Sequence, residues 1–149
     1  MILSSDEHGQ ALAEILQSGG CISIWVTGGS MMPALYHKRD TVSVRACEPR
    51  DLHRGRILLY RRENGQLVLH RLRHILPDGG LIVNGDAQSF CERITPECVL
   101  GVVDSVTRAG KTHAWNAIQF RIRDVFWYPT RPIRPFLFRC AAVLRKHIQ

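Results

Sequence analysis

The chain contains no apolar run approaching the ~20 residues that a membrane-crossing helix needs; its apolar runs, such as 67–69 and 141–144, are a few residues each. No secretory leader is expected from the opening pattern, because Asp6, Glu7 and His8 stand where an apolar core segment would lie. The five cysteines (Cys21, Cys47, Cys91, Cys98 and Cys140) form no C-x-x-C pair and are odd in number. That argues against a disulfide framework or zinc ribbon and for a reducing compartment. The seven histidines are scattered, with only His70 and His74 close together, so a metal site would need two further ligands from elsewhere. Neither metal nor cofactor is expected. No lysine occurs between Lys38 and Lys111, and there is no internal repeat or low-complexity segment.

What is present suits one domain of ordinary size: 149 residues, 45% hydrophobic and 22% charged, enough to bury a core. The charge is unevenly placed. Through residue 107 there are eleven Lys and Arg against twelve Asp and Glu, and from residue 108 onward nine against one. A nearly neutral body therefore precedes a basic tail. Seven of the eleven aromatics, from Trp115 to Phe138, also fall in the last 42 residues.

Three segments follow from the patterning. Residues 1–20 hold a short amphipathic helix over 6–17, with Ser5 or Asp6 as cap, Ala11, Leu12, Ile15 and Leu16 as its apolar stripe, and Ser18-Gly19-Gly20 as its stop. Residues 21–108 alternate short β-rich runs (21–26, 41–45, 56–60, 66–75, 81–83 and 99–106) with turn residues. Asn64-Gly65 and Pro77-Asp78-Gly79-Gly80 mark hairpins. Closely spaced strands with no helix between them predict a mainly β, antiparallel body. Residues 109–149 form a basic, aromatic extension in which Pro129, Pro132 and Pro135 separate possible helices near 115–127 and 136–147.

The chemistry concentrates in Thr27-Gly28-Gly29-Ser30-Met31-Met32-Pro33. A serine behind two glycines at a strand end sits where backbone approaches a ligand closely and the hydroxyl need not be buried; taken alone, the stretch is also an ordinary tight turn. Read with Arg39-Asp40, 52–60, His70-Arg71, Asn84-Gly85-Asp86-Ala87 and Gly101-Val102-Val103, in that order over about 80 residues, it resembles the type I signal peptidase superfamily, which includes LexA-like self-cleaving repressors.

That resemblance implies a LexA/signal-peptidase-type antiparallel β fold and a serine endopeptidase acting on a peptide or protein precursor. Ser30 would be its nucleophile, and His70 would stand where most bacterial members carry a lysine base, as in endoplasmic-reticulum-type and archaeal enzymes. Histidine is partly neutral near pH 7 without the desolvation a lysine requires. Its second ring nitrogen calls for an orienting acid. Asp86 matches the family's Gly-Asp box and ranks first; Glu92, six residues on, ranks second. The plain alternative for Asp86 is a turn-closing role. Ser30 N–H is the obvious oxyanion donor, while Gly28 occupies the position where many relatives carry a hydroxyl. Gly28, Gly29, Met31 and Met32 are the oxyanion and substrate candidates, with core packing the equal alternative for the methionines. Strand periodicity puts His74 on His70's side, as a stand-in base.

The short polar helix stands where signal peptidases carry a membrane helix, so the expected location is cytoplasmic, peripheral at most. Arginines among aromatics suit an anionic membrane surface. Nucleic acid or packing on the body are the other readings of the tail. Two rival functions remain: a catalytically weak β domain that binds extended peptides by strand addition, and an adaptor acting through the tail.

Overall fold

The computed structural model describes residues 5–115, 128–133 and 136. The expected tail helices, and with them the membrane-surface reading, lie almost entirely outside the described residues. Among those residues, helix α1 (Ser5–Gln17) is followed by strands β1 (Cys21–Trp25), β2 (Asp40–Arg45), β3 (Ile57–Arg61), β4 (Leu67–Ile75), β5 (Leu81–Asn84), β6 (Glu92–Ile94), β7 (Val99–Arg108) and β8 (Lys111–Ala114). All pair antiparallel in one sheet of order β1-β2-β7-β3-β4-β5-β6, with β8 against the far half of β7. The protein is mainly β, as its patterning implies. The six expected strands form, and β6 and β8 are additional. Through β8 the sheet continues past residue 108, and Trp115 is buried against the core.

The central strand β3 shows why the sheet holds. Ile57, Leu58, Leu59 and Tyr60 are all buried, so the strand has no solvent face and reads as a continuous apolar run rather than an alternation. Ile57 and Leu59 join one core with Met31, Leu35, Val42, Val103 and Trp115. Leu58 and Tyr60 point the other way, into a second core with Val68, Leu72, Val83 and Ile94.

Helix α1 ends as its glycines require: Gly19 adopts φ +83°, and Gly20 N–H donates to Ile15 C=O at 2.9 Å, closing a Schellman-type cap. Its buried stripe is narrower than expected. Leu16 is buried and Leu12 half-buried, whereas Ala11 and Ile15 face solvent.

Between β1 and β2 the chain makes a loop anchored at both ends. Val26 N–H donates to Asp40 C=O and Lys38 N–H to Val26 C=O, while Met31, Ala34 and Leu35 plug into the first core. Asp40, fully buried, accepts hydrogen bonds from Tyr36 N–H, Arg39 Nε and Arg108 Nε, each at 2.9 Å. These guanidinium partners hold its carboxyl well below the usual carboxylate range despite burial, which acts in the opposite direction. The serine-bearing loop is thereby clamped to the end of β7.

Candidate active site

Ser30 opens the turn that follows β1. Gly28 has φ +78°, a left-handed conformation that side-chain-bearing residues rarely adopt, and its N–H donates to His37 Nδ1 at 3.0 Å. His37 thus has a structural use, and the Gly28 N–H is occupied. The Gly29 and Ser30 N–H groups donate to no acceptor among the described residues, and neither does Ser30 Oγ. On the other side, Ala87 N–H donates to Ser30 C=O at 2.7 Å, stapling the serine to the chain leaving β5. The fit there is tight: a Cβ on Gly85 would lie 2.8 Å from Ser30 O. Gly85→Ala is therefore expected to destabilise the protein by about 1–3 kcal/mol and to shift the serine loop; urea denaturation, read beside reactivity at Ser30, checks this.

His70 lies on β4 opposite Leu58, facing the second core, and is only 2% exposed. His70 and Ser30 are both among the residues lining one cavity of about 590 Å³, walled by Leu12 of α1, Ile24 and Trp25 of β1, and Leu67 and Leu69 of β4. No hydrogen bond joins the two side chains among the described residues, and nucleophile–base hydrogen bonds are often long before substrate binds. Burial pushes the imidazole down to about 4, against the opposing pull of Glu92. The ring is therefore neutral at pH 7, and its Nε2 makes no hydrogen bond among the described residues.

The Nδ1 side holds residues that the sequence pattern did not single out. Tyr60 Oη lies 3.0 Å from His70 Nδ1 and donates to Glu92 Oε2 at 2.8 Å. Arg62 grips the same carboxylate through Nε at 2.9 Å and Nη2 at 2.7 Å. Glu92 itself is 3.9 Å from Nδ1, too far for a direct hydrogen bond. Its carboxyl is held below the ordinary range chiefly by the Arg62 hydrogen bond, whereas burial and Glu92 push the Tyr60 phenol well above its usual value.

Asp86 is placed differently from its expected role. Its carboxylate accepts from Arg71 Nε at 2.9 Å, Arg71 Nη2 at 2.5 Å and Arg73 Nη2 at 2.9 Å, all three residues being buried. The Arg71 guanidinium also stands 5.1 Å from the Trp115 ring centroid. Of the two acids weighed for orienting His70, Glu92 is the one joined to Nδ1, through Tyr60.

His74 is corrected outright. A bulge at Arg73 separates the pairs Leu72↔Val83 and His74↔Ile82. One extra residue turns His74 to the face opposite His70 and out to solvent. Met31 is buried in the first core and also touches the cavity, while Met32 is half-buried beside Gly29.

Among the described residues, no grouping of three or more His, Cys, Asp or Glu could hold a metal ion, and no helix is long and apolar enough to cross a membrane. No family model, curated protein or solved structure matches the chain.

Proposed function

We propose that the chain is a serine peptidase of the signal peptidase and LexA-like type, with Ser30 as nucleophile and His70 as general base. The observation that supports this best is the meeting of a glycine-framed serine and a buried, neutral histidine, about forty positions apart in sequence, on one cavity. The cavity is bordered by β1, which pairs only with β2 among the described residues. An extended peptide laid along that open edge has backbone partners beside Ser30.

In the proposed reaction His70 Nε2 accepts the Ser30 hydroxyl proton as Oγ bonds to the scissile carbonyl carbon. The Ser30 and Gly29 N–H groups are the available donors to the oxyanion. Collapse breaks the C–N bond, and the leaving amine takes the proton from His70. Water, deprotonated by the same nitrogen, then hydrolyses the acyl ester. Incubation with a fluorophosphonate probe, followed by peptide mass mapping, tests the assignment: an adduct on Ser30 that needs native protein supports it, and labelling elsewhere or none contradicts it. Peptide affinity without turnover would favour the strand-addition binder instead.

The lowered imidazole pKa makes a further prediction. A free histidine base loses half its activity near pH 6.5, but here the acidic limb of kcat/KM is expected near pH 4. Stability carries the matching sign. With the folded value below the unfolded one, the contribution is complete above about pH 6.5 and declines as pH falls toward 4. Rate and urea-midpoint profiles between pH 3.5 and 8 read both.

A further inference from the structure

We infer that Tyr60 is a positioning residue that fixes the tautomer of His70, relaying the charge of the Arg62-held Glu92 carboxylate to the base. This rests on the assignment of Ser30 and His70 above. It follows from counting protons. An ionised carboxylate only accepts hydrogen bonds, so the single Tyr60 hydroxyl proton is committed to Glu92 Oε2 across 2.8 Å. In the 3.0 Å contact with Nδ1 the phenol oxygen must then be the acceptor. His70 carries its proton on Nδ1, and Nε2 keeps a lone pair. The opposite polarity, with Tyr60 donating to Nδ1, would place the proton on Nε2 and leave Ser30 without a base.

The supporting frame is rigid. Tyr60 and His70 stand diagonally on one face of the β3–β4 pair, since Leu58 opposes His70 and Tyr60 opposes Val68. Tyr60 is fully buried in the second core. Glu92 opposes Val83, which in turn opposes Leu72, on that same face. Arg62 Nη1 also donates to Gln66 at 2.7 Å, so the guanidinium that orients Glu92 is tied across the β3–β4 hairpin. When Nε2 takes the Ser30 proton, the cation is stabilised through Nδ1–H to Tyr60 and through the phenol O–H to Glu92. Neither of those protons changes owner, and no further reactant is required.

The test is nitrogen-15 NMR of histidine-labelled, unliganded protein at pH 7, with His70 assigned from the resonance missing in His70→Gln. The expected result is a protonated Nδ1 and a bare Nε2 in the parent chain. In Tyr60→Phe a mixture of both tautomers is expected, with kcat reduced at least about 10-fold out of the about 100- to 10,000-fold that a general base supplies and KM unchanged. A parent protein with its proton on Nε2 overturns the inference, as does a folded Tyr60→Phe chain with unaltered tautomer and turnover. Should that variant not fold, the parent tautomer alone decides. Because the NMR reading needs no substrate, it stands apart from the probe labelling, so failure of the relay and failure of the peptidase assignment are told apart.

Discussion

Ser30→Ala is expected to remove probe labelling and to lower peptide cleavage by roughly 10⁴- to 10⁶-fold, the scale seen when a nucleophile acting in concert with its base is deleted. The fold should be indifferent to the change. Ser30 is only half-buried and its Oγ makes no hydrogen bond among the described residues, so the unfolding free energy should change by no more than about 0.5 kcal/mol. That separation makes the variant informative, because lost turnover on an intact fold points to the hydroxyl itself. His70→Gln should give nearly the same loss, and the double variant little more, since the two groups act as one unit. Cleavage that survives Ser30→Ala at the parent rate would move the chemistry elsewhere.

The second large effect concerns stability. Asp86→Ala withdraws the carboxylate on which three hydrogen bonds from the buried Arg71 and Arg73 converge. Breaking a buried ion cluster by removing one partner typically costs about 3–5 kcal/mol, a large share of a marginally stable domain. Asp86→Asn preserves the volume but not the charge and should fall between that variant and the parent. Urea denaturation of the three proteins measures the series. An acid whose main duty was to orient His70 would give the reverse outcome, with activity lost at unchanged stability.

The body of the fold was open to a reading of residues because its strands are short, apolar and punctuated. Runs such as Ile57–Arg61 and Leu81–Asn84, bounded by glycine and asparagine, leave few alternatives. β6 and β8 were not legible: Glu-Arg-Ile and Lys-Thr-His-Ala carry too little apolar pattern, and pairing with an existing edge decides them. Ser30 and His70 stood out by residue type and order.

The Tyr60 relay did not stand out, and the reason lies in register. A two-residue turn at Asn64-Gly65 would set Leu59 opposite His70, with Tyr60 on the far face. The hairpin instead uses the three-residue loop 63–65. Gly65 has φ +80° and donates to Arg62 C=O, Arg62 N–H donates to Gln66 C=O, and Gln66 N–H donates to Asn64 Oδ1 at 3.1 Å. That single residue brings Tyr60 and His70 onto one side. At β4 the same arithmetic runs in reverse, where the bulge at Arg73 removes His74 from the face that simple alternation assigns it. One-residue irregularities leave no trace in hydrophobic pattern, yet they choose which polar groups meet.

The grip of Arg39 and Arg108 on Asp40 has a bearing on working conditions. Its carboxyl stays ionised well into acid, so the brace behind the nucleophile's loop outlasts the imidazole as protons become abundant. Acidification to about pH 4 should then silence the proposed enzyme before this brace gives way, and returning to neutrality should restore it.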